Sequence, residues 1–131
     1  EKPVTIDAGV RRAVRGSVIS ARMDKSITAF AALSQRTRLE VLRLLIQRGE
    51  RGMLAGEVSD YLDVKQNTMS TNLGILARAG LIRSERNGRE IRYFADYSGI
   101  RHLVGFLMED CCGGNPELCE PILDQVICEA C

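Results

Sequence analysis

The chain has 131 residues, 45% of them hydrophobic, with 18 Lys and Arg against 17 Asp and Glu for a formal net charge of +1. That length favours one domain with a modest core that gains from association, and no apolar run approaches the roughly 20 residues of a membrane-spanning helix. The even balance argues against a uniformly charged polyelectrolyte binder, yet it conceals segregation. Residues 65–93 carry Lys65, Arg78, Arg83, Arg86, Arg89 and Arg92 against Glu85 and Glu90 alone, whereas residues 104–131 carry six acidic side chains and no Lys or Arg. The first segment offers a polyanion a local patch; the second does not.

Residues 1–25 stand apart. Arg11, Arg12, Arg15 and Arg22 sit among short side chains without a clear apolar period, which suggests a disordered arm or an added leader ahead of a start at Met23. From Ser26 the pattern is helical. Ser26 is placed to cap a short helix carrying Ile27, Phe30, Ala31 and Leu33. Thr37 begins a second helix whose Leu39, Val41, Leu42, Leu44, Leu45 and Ile46 make it the centre of the core, closed by Gly49. Leu54–Leu62 reads as a third, with Leu54, Val58, Tyr61 and Leu62 facing inwards.

The turn Asp63-Val64-Lys65 leads into a fourth helix from about Gln66 to Ala79, stopped by Gly80, with Met69, Leu73 and Leu76 on its buried side. Two helices across so short a turn form a helix-turn-helix, whose second member reads DNA from its N-terminal residues. Lys65, Gln66, Thr68, Ser70, Thr71 and Asn72 are therefore the candidate base and phosphate contacts. Two short strands, 81–86 and 90–94, flank Asn87-Gly88, a strong hairpin signal. Arg86 and Arg89 border its tip, so the hairpin reads as a basic wing reaching a neighbouring phosphate stretch or groove. The fold class expected is mostly α with a β-hairpin: a winged helix-turn-helix over residues 26–110, binding double-stranded operator DNA. Tyr97–Met108 is apolar over most of its circumference, more than one small domain covers, so the terminal helices are expected to dimerise the protein.

Cys111, Cys112 and Cys119 fall within nine residues of a glycine-rich acidic tail spanning 111–131. Soft thiolates favour thiophilic partners over calcium or magnesium. Three sulfurs suit trigonal trivalent arsenic or antimony, while zinc normally takes four ligands. The lone histidine, His102, lies nine residues before Cys111, about 13 Å along a continuous helix. Asn115-Pro116 reads as the N-cap and first residue of a helix placing Cys119 in its opening turn, and Pro121 would interrupt that helix. Cys128 and Cys131 could add a second soft-ion site, a redox pair, or the ligands of a four-sulfur zinc or cadmium site. A cytoplasmic protein is expected, in which five cysteines serve as free thiols or ligands more readily than as structural disulfides.

The stretches Leu33-Ser34-Gln35-Arg36-Thr37-Arg38-Leu39, Gln66–Leu73, Leu76–Ile82 and Arg86–Tyr93 together resemble the ArsR/SmtB family of dimeric, metal-responsive bacterial repressors over residues 26–119. The family's Cys-x-Cys arsenic site at the start of the third helix is absent, since Gly52-Met53-Leu54-Ala55-Gly56 stands there. A lone His102 cannot make the family's zinc site across paired terminal helices. The Cys-Cys-Gly-Gly-x-Pro-Glu-x-Cys tail is similar to the arsenic-responsive branch whose site follows the last helix. The resemblance implies Cys111, Cys112 and Cys119 as ligands for arsenite, or for antimonite, and release of the operator on binding. A thiol redox or persulfide sensor, and a cadmium, lead or zinc sensor, are alternatives on the same scaffold. A thiol-based reductase is a poorer fit, because the chain has no βαβ pattern, phosphate-binding glycine loop or cysteine–histidine pairing.

Overall fold

The computed structural model describes residues 18–108 and 116–126. Helix α1 spans Val18–Leu33, α2 Arg36–Arg48, α3 Ala55–Leu62, α4 Gln66–Arg78, α5 Tyr97–Leu107 and α6 Pro116–Val126. A 3-10 turn, Gly49–Arg51, precedes β1 (Met53–Leu54), and β2 (Ile82–Asn87) and β3 (Glu90–Ala95) form the hairpin. The sheet has three antiparallel strands in the order β1-β3-β2.

Helix α1 begins upstream of Ser26, so the expected boundary at residue 25 falls inside a helix. Ser26 does not cap it; its side chain is buried in mid-helix at 1% exposure. Helix α2 is capped by Gln35, whose side chain accepts from the Arg38 amide at 2.9 Å, and ends at Gly49 with φ 56, a conformation that favours glycine. Val41, Leu42, Leu44 and Leu45 point into the core, where they meet Ala29 and Ala32 of α1, Val58 of α3, and Met69, Leu73 and Leu76 of α4. Tyr61, expected inside, is 62% exposed, with the Arg48 guanidinium 5.7 Å from its ring centroid.

The wing differs from a plain hairpin in having a third strand. Met53 pairs with Tyr93 and Leu54 with Arg92, so Leu54, expected to open α3, instead ties it to the wing. Gly52, just before β1, has φ 59 and ψ −168. A Cβ there would lie 2.5 Å from the Tyr93 carbonyl oxygen and 2.7 Å from the Phe94 ring. At the tip, Asn87 pairs with Glu90, leaving Gly88 and Arg89 as the two loop residues. Gly88 has φ 63 and Arg89 is not in the left-handed region, the pattern of a type II′ turn with glycine in its first central position.

Helix α5 starts at the foot of the wing. Asp96 caps it by accepting from the Ser98 and Gly99 amides at 3.0 and 3.3 Å. The Asp96 amide donates to the Leu81 carbonyl at 2.9 Å, and the Leu81 amide donates to the Leu76 carbonyl at 3.1 Å. Helix α6 runs through Pro121, which was expected to break it. An interior proline removes one backbone hydrogen bond and strains the preceding turn, and here that cost is absorbed within one continuous helix.

Candidate nucleic-acid interface and thiol segment

Helix α4 follows α3 across Asp63-Val64-Lys65. Asp63 takes the left-handed conformation at φ 52, and the Val64 amide donates to the Ser59 carbonyl at 3.0 Å, which closes the turn. The helix then divides cleanly by its period. Met69, Leu73 and Leu76 are fully buried. Gln66, Asn67, Thr68, Ser70 and Thr71 are exposed, as is Lys65 at the N-cap. Five of the six expected DNA contacts from this helix and its cap are therefore presented together at one exposed end, where unpaired helix amides also favour phosphate. Asn67 belongs with them and was missed by sequence reasoning. It lies two residues before Met69, on the opposite face by helix periodicity, and its carbonyl accepts from the Thr71 hydroxyl at 3.2 Å.

Asn72 is the exception. It is 6% exposed, and its Oδ1 accepts from Arg38 Nη1 at 3.2 Å. Arg38 Nε in turn donates to the Ala32 carbonyl at the end of α1, at 2.6 Å. The Asn72 side chain is thus a strut between α4 and the α1–α2 corner, turned away from the exposed face that carries the other five. The cause is angular: Asn72 precedes Leu73 and follows Met69 by three positions, which turns it towards the core.

Arg86 and Arg89 are exposed at the wing, one at the end of β2 and one in the loop. Lower on the same hairpin, Arg83 lies 4.4 Å from the Phe94 ring centroid and 2.7 Å from Glu85. That pairing engages Arg83 locally, whereas Arg86 and Arg89 make no ion pair among the described residues and can reach outwards. With Lys65 they give the recognition end of the molecule its positive character.

A family model for a helix-turn-helix domain matches residues 33–85. An uncharacterized HTH-type transcriptional regulator of Bacillus subtilis, YbzH, is 36% identical over 93 residues, which is 62% of this chain and 93% of that protein. A protein of Streptomyces lividans named as a mercury resistance operon repressor is 30% identical, over 70% of this chain and 75% of its own length. The chain belongs to the ArsR family of helix-turn-helix transcriptional regulators. It is a DNA-binding regulator and not an enzyme. A protein of Halobacterium salinarum named as an arsenical resistance operon repressor is 29% identical, over 63% of each chain. The solved structure of an ArsR-like transcriptional regulator from Rhodococcus sp. RHA1 superposes with a TM-score of 0.63 at 27% identity, covering 83% of this chain and 98% of that one.

Of the three expected inducer ligands, Cys111 and Cys112 lie outside the described residues, as do Cys128 and Cys131. Cys119 is in the first turn of α6, 6% exposed and disulfide-bonded. The expectation of free thiols is therefore not met at Cys119. Among the described residues no group of three His, Cys, Asp or Glu side chains is placed to hold a metal ion. His102 sits on α5 with Nε2 buried and, among the described residues, without a hydrogen-bond partner.

Apolar side chains remain uncovered on the helices away from the wing tip. Met23, Ile27 and Phe30 form one stripe along α1, and Val104 and Leu107 project from α5, each at least 40% exposed. Leu118 and Ile122 of α6 are 57% and 47% exposed. Among the described residues no helix is long and apolar enough to cross a membrane.

Proposed function

We propose that the protein is a homodimeric repressor released from operator DNA when arsenite, or antimonite, binds the thiolates of Cys111, Cys112 and Cys119. The observation that carries this reading is the spacing of Cys111, Cys112 and Cys119 within nine residues, with Cys119 in the opening turn of α6, which directly follows that segment. A disulfide sulfur is not a ligand, and the reading applies to the reduced chain. There, arsenous acid and three thiols give a tris-thiolate arsenic centre and three waters, a balanced condensation needing no redox partner. Names of relatives support an inducer of soft, thiophilic character, one for mercury and one for arsenical resistance.

The exposed stripes of α1 and α5 support dimerisation through these helices, which would set two α4 helices about one turn of DNA apart. The tail follows α5, so drawing Cys119 onto its partners would act at the end of a dimer helix. A coupling of about 1–3 kcal/mol, or roughly 5- to 150-fold in operator affinity, is the usual range for such a switch.

The disulfide at Cys119 supports a second reading, a thiol redox regulator released by oxidation of that residue. One titration separates the two. Reduced protein is mixed with a fluorescent operator duplex and arsenite is added, for the intact chain and for Cys119→Ser. Release at about one arsenite per protomer, lost in the variant, is the expected result. Release by peroxide with no response to arsenite would replace the first reading by the second.

A further inference from the structure

We infer that Arg78, whose guanidinium lies over Gly74, is a further DNA contact that extends the reading face of α4 by a full turn. Helix periodicity places Asn67, Thr71, Gly74 and Arg78 in one stripe, at i, i+4, i+7 and i+11, opposite the buried Met69, Leu73 and Leu76. Glycine in a helix interior is destabilising relative to alanine, so Gly74 calls for a reason. Its backbone supplies none, because it is not among the glycines with positive φ. Packing supplies none either. The atoms nearest a Cβ built there are all in the Arg78 guanidinium, Nη1 at 3.4 Å with Cζ and Nη2 at 4.0 Å. The missing side chain leaves a flat place on the exposed face, and Arg78 fills it.

Arg78 has no carboxylate within ion-pairing distance among the described residues, so its planar fork of donors is available. Asn67 to Gly74 spans about 10 Å along the helix axis, close to the roughly 12 Å width of the major groove. The Cα of Arg78 lies about 6 Å beyond Gly74, towards the groove wall, and its fold-back returns the guanidinium to the stripe. The acceptor is an oxygen or ring nitrogen of DNA. A guanine edge, through O6 and N7, and a backbone phosphate share this chemistry. The inference rests on DNA binding alone and is independent of the inducer.

The test uses the duplex that the intact protein selects from a random-sequence pool, with affinity by anisotropy and melting temperature measured on the same samples. Arg78→Ala is expected to weaken binding about tenfold or more with little change in melting temperature. Gly74→Leu puts a good helix former where the guanidinium lies, so it should weaken binding by a similar factor while melting at or above the parent temperature. The double variant should bind within about twofold of either single one, as expected for two changes acting on one contact. A guanine contact appears as lost discrimination at one base pair and is not rescued by Arg78→Lys. A phosphate contact appears as a uniform loss, with the salt dependence reduced by about 0.9 and rescue by lysine. The inference is overturned if Arg78→Ala lowers only the melting temperature, the mark of a cation serving the helix C-terminus. It is equally overturned if Gly74→Leu weakens binding further in the Arg78→Ala background, since the gap would then serve DNA approach and not Arg78.

Discussion

Replacing Asn72 with alanine tests whether this polar residue of the recognition helix supports the fold or reads bases. The change removes the acceptor for Arg38 Nη1. A hydrogen bond to a charged group contributes about 1.5–3 kcal/mol. Arg38 is only partly buried and keeps the Ala32 carbonyl as a second partner, so the lower end, about 1.5–2 kcal/mol, is the expected loss. For a chain of 131 residues each kcal/mol moves the melting temperature by about 3–5 °C, a shift calorimetry resolves readily. Asn72→Asp keeps an acceptor beside the guanidinium and should recover most of the loss. In a cycle with Arg38→Gln, the two changes should couple by about 1 kcal/mol, as contacting residues do. Base preference, measured well below the transition on a selected duplex and its single-base variants, should be unchanged. If Asn72→Ala melts like the parent protein and alters preference at one base pair, Asn72 reaches DNA and the reasoning from its burial is wrong.

Gly52→Ala should destabilise by about 3 kcal/mol or more. The backbone there sits in a region that costs other residues about 1–3 kcal/mol, and the new Cβ would collide with the Tyr93 carbonyl and the Phe94 ring; an unchanged urea midpoint would contradict this. Removing Arg86 and Arg89 together should leave stability intact. For every phosphate these side chains neutralise, their removal should reduce the slope of log affinity against log salt by about 0.9. A slope identical to that of the parent would exclude the wing tip from the interface.

Most of the architecture was legible because it rests on periodicity. The Val41–Leu45 run, the Met69-Leu73-Leu76 stripe and the Asn87-Gly88 signal each specify an element locally, and their order specifies the winged helix. The failures came where a neighbour decides. Residue type alone made Asn72 look like a DNA contact, and only its angle beside Leu73 and the presence of Arg38, 34 positions earlier, turn it inwards. Leu54 matched the α3 pattern, but pairing with Arg92 across the fold makes it a strand residue. Ser26 looked like a cap because serine favours helix starts, yet α1 extends through it. Arg78 was visible as charge but not as part of a surface, because a glycine in a helix reads as a weakness until the atoms around it are known.

The junction between α4 and α5 gives the proposed switch a short mechanical path. The Leu81 amide is held by Leu76 of α4, and the Leu81 carbonyl holds the Asp96 amide, whose side chain caps α5. Gly99, in the first turn of α5, packs so closely on the Gly80 carbonyl that a Cβ would overlap it. The end of the recognition helix, the foot of the wing and the start of α5 therefore meet at one backbone contact with no flexible side chain between them. Burial gives the same region little room to adjust, since Leu76, Leu81, Ile82 and Ala95 are all within the core. The other end of α5 carries exposed Val104 and Leu107 and leads into the cysteine-bearing tail. A displacement of that helix is thus resisted least at its tail end and transmitted most directly at its start. On the proposed reading, an inducer held by the tail acts on α4 through this backbone contact at the start of α5 and needs no route through the apolar core.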